Sequence, residues 1–225
     1  MRRPVCVFDA YGTLFDVAAA AREAAAEPGA DALAAHWPRL AEIWREKQLS
    51  YTWLRTVTGA HCDFWQVTQD ALDYALEALA LDDADLRARL LALYRRLSAY
   101  PEVPQVLEAL RAAGHPTAIL SNGSEEMLAD ALAHAGIGDR LDAVLSVDRV
   151  GVFKPDARVY ALVAQTFGAG EVLFVSANGW DAAAATGHGF TCAWVNRAGL
   201  PMERLPWRPA HVLADLTGVP GIAAA

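Results

Sequence analysis

Short apolar runs alternate with amphipathic stretches along most of the chain. Five runs rich in Val, Ile and Leu predict buried strands, at residues 4–8, 117–120, 143–147, 172–175 and 191–195. Helical spacing of apolar residues marks segments between the later runs, near 125–135, 156–167 and 181–187. Strands that alternate with helices predict an α/β fold, with a parallel sheet covered by helices on both faces.

The segment 17–97 has a different pattern. Apolar residues recur there at spacings of three and four, as at Leu33, Trp37, Leu40 and Trp44. This is the period of an amphipathic helix, so the segment predicts an all-helical insertion. We therefore expect one folding unit, with a core of residues 1–16 and 98–225 interrupted by a helical cap of residues 17–97.

Composition and charge exclude several classes of protein. The 225 residues are 54% hydrophobic, which argues against disorder, and charges interrupt each apolar run before the ~20 residues that span a bilayer. The apolar stretch near the N-terminus is too short for a secretory signal, so we expect a cytoplasmic protein. Cys6, Cys62 and Cys192 match no zinc spacing and predict free thiols. A net charge of −8 argues against nucleic acid, and a small anionic ligand would need its own local Lys or Arg.

Polar residues follow the ends of several predicted strands. Asp9 comes directly after the first strand, Ser121 after the second, Lys154 after a loop, and the segment 176–181 after the fourth. Ligands of an open parallel sheet bind outside the carboxyl ends of its strands, so we expect one crevice roofed by the helical insertion. Taken singly, each residue has a simpler interpretation, as a turn acid, a helix cap or a solvated loop lysine.

The same strand ends resemble the four motifs of the haloacid dehalogenase superfamily. Asp9-Ala-Tyr-Gly-Thr-Leu is similar to the first motif, and Ser121 in Ala-Ile-Leu-Ser-Asn-Gly to the second. Lys154 in Val-Phe-Lys-Pro resembles the third, and the segment 176–181 the fourth. One motif alone is a weak signal, but four in the expected order across nearly the whole chain are a strong one. The resemblance implies a Rossmann-like sheet with a helical cap, and Asp9 as a covalent nucleophile.

Two departures from the pattern bear on the reaction. Phosphatases of this superfamily have a second Asp where this chain has Tyr11, and a magnesium-binding Asp where it has Ala177. Mg²⁺ requires several oxygen ligands, so we expect no metal and no cofactor. The same departures resemble the L-2-haloacid dehalogenase branch, although that branch often has Ser in place of Ala177 and Ala in place of Gly179. These two differences leave the shape of the pocket open.

One stretch of the insertion strengthens this resemblance. Ile-Trp-Arg-Glu-Lys-Gln-Leu, from residue 43, is similar to the cap helix of those dehalogenases, in which the Arg reaches the halide; here it is Arg45. A departing halide needs positive charge and N–H donors, which Arg45, Asn122 and Trp180 can supply. The simpler alternative is that Arg45 lies with Arg39 on the wet face of an amphipathic helix.

The resemblance also implies roles for the remaining residues. Asp9 would displace the halide to form an ester, which water then hydrolyses. Lys154 would keep Asp9 ionised and, with Ser121, hold the substrate carboxylate. Asp181 is our hypothesis for the base that activates the water, and Asn178 for the residue that orients it. The expected apolar pocket consists of Tyr11, Leu49, Phe64 and Trp180. Supporting contacts are expected from Thr13, Tyr160 and Ser176.

Together, the motifs and the resemblance to this branch imply an (S)-2-haloacid dehalogenase. It would convert short 2-haloalkanoic acids, with the L-enantiomer favoured by resemblance, to 2-hydroxy acids with inversion, and would form a homodimer partly through the cap. Two alternatives remain open: a phosphatase-type hydrolase of the same superfamily, and a non-catalytic binding member that keeps the fold.

Overall fold

A six-stranded parallel sheet forms the centre of the molecule, in a computed structural model that describes residues 3–28, 30–81 and 83–225. The strands are β1 Val5–Phe8, β2 Thr117–Ser121, β3 Ala143–Ser146, β4 Val172–Ser176, β5 Thr191–Val195 and β6 His211–Leu213. Their order in the sheet is β3-β2-β1-β4-β5-β6. Strand β1 lies between β2 and β4, and its last residue, Phe8, pairs with Ile119 of β2 and Val175 of β4. The three central strands therefore end at the same level, where the polar motifs begin.

Burial on both faces explains the composition of the central strands. Every residue of β1 and β2 is buried, as expected for parallel strands that helices cover on both sides. The five predicted strands are confirmed to within one residue at each end. The sequence analysis missed β6, because this edge strand has only three residues and Val212 is half exposed.

Helices connect the strands and supply the second layer of the fold. They are α1 Ala19–Ala25, α2 Asp31–Thr58, α3 Phe64–Ala78, α4 Ala84–Tyr94, α5 Val103–Ala112, α6 Glu125–Ala135, α7 Ala157–Phe167, α8 Gly179–Gly187 and α9 Val219–Ala223. The predicted helices near 125–135, 156–167 and 181–187 correspond to α6, α7 and α8. The family fold expected from the motifs, a Rossmann-like α/β sheet, is confirmed.

Four consecutive helices, α1 to α4, separate β1 from the rest of the core. The longest is α2, which ends at Gly59 in the left-handed conformation that glycine adopts without strain. Leu40 and Trp44 lie on the inner face of α2 and are buried. The Trp44 indole donates to the backbone carbonyl of Thr68 in α3. Helix α3 begins where the Asp63 side chain accepts the backbone N–H of Gln66.

Two linkers join these helices to the core, and they run side by side. The outgoing linker, residues 12–18, leads from β1 to α1, and the returning linker, residues 95–102, leads from α4 to α5. The backbone N–H of Tyr100 donates to the carbonyl of Leu14, and that of Asp16 to the carbonyl of Ser98. The covalent connections between α1–α4 and the sheet therefore pair in antiparallel fashion at one place.

Two further observations concern the state of the cysteines and the hydropathy of the helices. Cys6, Cys62 and Cys192 are free thiols, and burial raises the pKa of both Cys6 and Cys192 to about 12. In the described part of the chain, no helix combines the length and the hydropathy needed to cross a membrane.

Candidate active site

The side chain of Asp9 lies at the carboxyl end of β1 and is surrounded by hydrogen-bond donors. Its Oδ2 accepts from the Thr13 hydroxyl at 3.0 Å and from the Asn178 amide at 2.9 Å. Its Oδ1 accepts from the ammonium of Lys154 at 3.2 Å. These donors hold the carboxylate in one orientation. The side chain is almost completely buried yet lines a cavity, as a nucleophile must.

Lys154 bridges the two carboxylates of the site. Its ammonium lies 3.2 Å from Asp9 and 2.8 Å from Asp181, and only 1% of the side chain is exposed. Burial by itself would lower the pKa of Lys154, but the negative charges of Asp181 and Asp9 outweigh burial and raise this pKa. The lysine is therefore a cation at neutral pH. Its backbone N–H donates to the side-chain oxygen of Asn122, which fixes the loop.

Asp181 lies in the first turn of α8, behind Asp9 as seen from the cavity. Its oxygens accept from Tyr160 at 2.7 Å, from Lys154 at 2.8 Å and from Ser176 at 3.0 Å. Complete burial raises the pKa of this carboxyl, and the charge of Asp9 adds to the rise, while Lys154 opposes it. Because Asp181 does not line the cavity, its role as the base that activates water stays a prediction.

Hydroxyl groups connect the first and fourth motifs. The Thr13 hydroxyl accepts the backbone N–H of Ala177 while it donates to Asp9. The Ser176 hydroxyl accepts the backbone N–H of Asn178 while it donates to Asp181. Both hydroxyls are fully buried and use both functions, so the ends of β1 and β4 are held in a single relative position.

A narrow cavity lies between the helices α1–α4 and the carboxyl ends of the strands. Its lining consists of Asp9, Tyr11, Arg45, Leu49, Phe64, Ser121, Asn122, Lys154, Asn178 and Trp180. The structure thus brings together all of the residues predicted for the substrate pocket. The space open to the centre of a water molecule is about 10 Å³, roughly enough for one water. A larger ligand requires the surrounding side chains or helices to move.

Arg45 reaches from α2 into this cavity. Its guanidinium donates to the backbone carbonyl of Tyr11 at 3.1 Å and to the side-chain oxygen of Asn178 at 3.3 Å. Both acceptors are uncharged, and among the described residues no carboxylate oxygen lies within 4.0 Å of its guanidinium. Arg39, by contrast, is exposed and paired with Glu42. The wet-face alternative therefore applies to Arg39, whereas Arg45 presents an uncompensated positive charge to the cavity.

Aromatic rings form the apolar walls of the cavity. Tyr11 stacks on Tyr94, with ring centroids 5.8 Å apart and planes inclined by 12°, and Phe64 lies at 5.7 Å on its other side. Trp180 contacts the ring of Trp53 edge-on at 5.3 Å. The Trp180 indole nitrogen is closed off from solvent and has no hydrogen-bond partner in the described part of the chain. It is an unused N–H donor beside the cavity that Arg45 and Lys154 line.

Two polar groups at the cavity keep donors available for a ligand. The Ser121 hydroxyl accepts the backbone N–H of Gly123, and its own hydrogen has no acceptor in the described structure. The Asn122 side chain uses its oxygen on Lys154, which leaves its NH₂ group as a donor. The cavity is therefore rich in donors, as an anion requires.

A buried polar network behind Tyr11 was not predicted from the sequence. The Gln48 amide donates to the Thr68 hydroxyl at 3.0 Å and to the Tyr94 hydroxyl at 3.1 Å. This network ties α2, α3 and α4 together one turn after Arg45. The available signal was a polar residue four positions after Trp44, on the face of α2 that is otherwise apolar.

Comparisons of the sequence and of the structure with known proteins point to the same family. The family model of haloacid dehalogenase-like hydrolases matches residues 4–189. The chain is 44% identical over 218 residues to (S)-2-haloacid dehalogenase 1 of Pseudomonas sp. (strain CBS-3), covering 96% of this chain and 94% of that protein. The structure resembles that of the L-2-haloacid dehalogenase RSc1362, with a TM-score of 0.93, 41% identity and full coverage of both chains.

A second solved structure carries a ligand. It is the L-2-haloacid dehalogenase from Xanthobacter autotrophicus with chloropropionic acid covalently bound, with a TM-score of 0.87 and 37% identity, covering 100% of this chain and 99% of that one.

Proposed function

The chain belongs to the haloacid dehalogenase-like hydrolase family, and from this we propose that it hydrolyses short 2-haloalkanoic acids to 2-hydroxy acids. Its relatives carry the name (S)-2-haloacid dehalogenase, so the favoured substrates are the (S)-enantiomers, which correspond to the L-series. One observation carries the proposal: the carboxylate side chain of Asp9 shares a narrow cavity with Arg45, whose positive charge has no carboxylate partner within the described residues.

In the first step, a carboxylate oxygen of Asp9 attacks C2 of the substrate in line with the carbon–halogen bond. The bond to the halogen breaks, the halide leaves with the electron pair, and an ester forms on Asp9. Arg45, the NH₂ group of Asn122 and the free indole N–H of Trp180 are the proposed halide donors. No proton is transferred, which agrees with Tyr11 serving as an apolar wall where a phosphatase has an acid.

In the second step, water attacks the carbonyl carbon of the ester. The bond between this carbon and the ester oxygen breaks, and that oxygen, taken from Asp9, leaves in the 2-hydroxy acid; the water oxygen enters Asp9. Thr13, Asn178 and Lys154 already donate to Asp9 and would stabilise the negative charge that develops on it. The only substitution at C2 occurs in the first step, so the product has inverted configuration.

The proton released by the water needs an acceptor. We assign it to Asp181, because burial raises the pKa of this carboxyl and thereby its basicity, and Asn178 would orient the water. Asp181 then returns this proton to the departing oxygen, which becomes the 2-hydroxyl group, and the proton left on the Asp9 carboxyl passes to solvent. Tyr160 and Ser176 hold Asp181 in place. Since Asp181 does not line the cavity, this assignment requires the water to reach Asp181 during turnover.

The substrate carboxylate is the second anionic group that the site must hold. We propose that the free hydroxyl hydrogen of Ser121 and the third N–H of Lys154 donate to it. Tyr11, Leu49, Phe64 and Trp180 then surround the alkyl group. We further propose that residues 17–97 act as a cap that opens to admit substrate, since the closed cavity has room for roughly one water.

Halide release from the two enantiomers of 2-chloropropionate tests the proposal. We expect release from the (S)-enantiomer, no effect of a chelator, and loss of activity in Asp9→Asn. Asp139→Asn is the matched control, because that side chain is largely exposed and distant from the cavity. Release that survives Asp9→Asn would refute the mechanism. Magnesium-dependent release of phosphate from a phosphate ester, without halide release, would instead establish the phosphatase alternative.

Two further proposals concern the oligomeric state of the protein and its location in the cell. We propose a homodimer in the cytoplasm, with apolar residues at the end of α2 in the contact, since Trp53, Leu54 and Val57 are 37%, 59% and 85% exposed. Light scattering coupled to size exclusion measures the assembly. A monomer at micromolar concentration, or a dimer unaffected by Leu54→Lys, would contradict this contact. Cell fractionation tests the location, and the enzyme is expected in the cytoplasmic fraction.

A further inference from the structure

Arg197 contacts both linkers near the place where they pair. It follows β5 by two residues, and its guanidinium donates to the backbone carbonyl of Thr13, in the outgoing linker, at 3.2 Å. The same guanidinium lies 2.7 Å from a carboxylate oxygen of Glu102 and stacks 3.7 Å from the ring centre of Tyr100, both in the returning linker. One side chain therefore joins β5 to both connections of the helices α1–α4.

Thr13 transmits this contact to the nucleophile. Its carbonyl accepts from Arg197, while its hydroxyl donates to Asp9 at 3.0 Å and accepts the backbone N–H of Ala177 at 2.8 Å. A single buried residue thus separates the guanidinium from the reacting carboxylate. A shift of the Thr13 backbone would move the donor that orients Asp9.

The small volume of the cavity is the reason why the contacts of Arg197 with the linkers matter for catalysis. Entry of a haloacid requires the surrounding side chains or helices to move, because the present cavity holds roughly one water. The cap opening proposed above is a movement of α1–α4 relative to the sheet. The two linkers are the covalent connections that must accommodate such movement. Arg197, together with the bond from the backbone N–H of Ala177, would hold the turn that carries Thr13 while the outgoing linker moves.

We propose that Arg197 is a positioning residue for the nucleophile. It ties Thr13 to the returning linker and to β5, so that Asp9 keeps its attack geometry while the linkers move. This inference depends on the proposed function, in which Asp9 is the nucleophile. Arg197 itself does not line the cavity and does not touch substrate. Its loss should therefore slow the chemical steps and leave substrate binding nearly unchanged.

Arg197→Met and Arg197→Lys test the proposal with (S)-2-chloropropionate. A displacement of about 1 Å costs on the order of 100-fold in rate, so we expect Arg197→Met to lower kcat by about 10- to 100-fold with little change in KM. Arg197→Lys keeps a charged donor and should recover part of this loss. Because Arg197 is 22% exposed, millimolar guanidinium should restore part of the activity of Arg197→Met.

Arg140→Met is the matched control. Arg140 is 27% exposed, is paired with Asp139 and donates to the backbone carbonyl of Gly136, but it lies outside the cavity and the linkers. Its replacement should leave kcat unchanged. An equal loss of kcat in both variants, or a loss in Arg197→Met that appears in KM alone, would overturn the proposal.

Hydrogen exchange separates this inference from the proposed function. If the wild-type protein releases no halide from any 2-haloacid, the proposed function fails. The positioning role is then tested by the amide exchange of residues 9–16, which Arg197→Met should accelerate relative to the wild type and to Arg140→Met. Unchanged exchange in this segment would overturn the inference, whatever the activity.

Discussion

The ring of Tyr11 lies directly against the backbone of Gly123, and a Cβ atom at residue 123 would lie only 2.6 Å from the Cε2 atom of Tyr11. Tyr11 belongs to the first motif and Gly123 to the second, so two motifs more than one hundred residues apart determine the shape of one wall. Glycine is required here because of the close approach of the ring, and its absent side chain leaves room for the tyrosine.

Gly123→Ala should therefore narrow the cavity. The methyl group pushes Tyr11 toward the space that the alkyl group of the substrate would occupy, so kcat/KM should fall more for 2-chlorobutyrate than for chloroacetate. Steady-state kinetics on the two acids measures the ratio. Gly170→Ala is the control, since a Cβ at that position meets nothing within 4 Å. An unchanged ratio would show that Tyr11 does not limit the pocket.

Tyr160→Phe should shift the pH dependence of turnover. The Tyr160 hydroxyl donates to Asp181 and lowers the pKa of that carboxyl, so its removal should raise this pKa further above the usual value of 3.8. If ionised Asp181 is the base, activity is lost as pH falls through its pKa. The acid limb of the kcat profile should then move to higher pH. Tyr74→Phe, at a half-exposed tyrosine, should leave the profile in place. A fixed acid limb in Tyr160→Phe would exclude Asp181 as the titrating group.

Arg45→Met should lower the rate of ester formation by about 10²- to 10³-fold, the cost of removing one donor to a developing anion. One guanidinium nitrogen of Arg45 bonds both Tyr11 and Asn178, which leaves the other N–H groups for a halide. Lysine has the charge but fewer N–H groups to spare, so Arg45→Lys should be impaired as well. Single-turnover halide release isolates this step. Arg39→Met, on the exposed face of the same helix, should retain the wild-type rate. Equal rates in the two methionine variants would remove Arg45 from the halide site.

Lys154→Met should destabilise the fold as well as abolish turnover. It leaves Asp9 and Asp181 buried without their shared cation, and breaking a buried pair in this way costs about 3–5 kcal/mol. Urea unfolding at pH 7 measures the loss. Lys47→Met is the control, because the Lys47 ammonium lies over the ring of Tyr74 and forms no ion pair with any of the described residues. A loss below about 1 kcal/mol would argue against a buried charge cluster.

The difference in unfolding free energy between the wild type and Lys154→Met should depend on pH in one direction. The pKa of Lys154 is raised above its usual value of 10.5, so the folded state holds this proton more tightly than the unfolded state does. The stabilisation by Lys154 is therefore complete below pH 10.5 and is lost as pH rises through the raised pKa. The stability gap between the wild type and Lys154→Met should stay constant between pH 8 and pH 10, with no loss in that window.

Much of the architecture could be predicted from local sequence. The strands before Asp9 and Ser121 are buried on both faces, so each is an uninterrupted apolar run with a distinct end. Strand β6 could not be recognised in this way, because three residues at a half-exposed edge have no periodic signal. The site residues of the four motifs were predicted because each directly follows such a strand or its loop.

Other features depend on which strands are neighbours. The bond between Thr13 and the backbone of Ala177 spans 164 residues, and the contact between Arg197 and Thr13 spans 184. No local pattern encodes such distances, since both follow from the placement of β4 beside β1 and of β5 beside β4. The position of Asp181 behind Asp9, and not in the cavity, has the same origin.

The sequence by itself determined the chemical groups, their order and the elements that carry them, because apolar periodicity and strand ends are local properties of the chain. Only the tertiary structure decided which groups face the cavity, which are held behind it, and that Arg45 has no carboxylate partner among the described residues. The physical reason is that burial and electrostatic pairing depend on distances between side chains. Those distances are set by the packing of strands and helices that are remote in sequence.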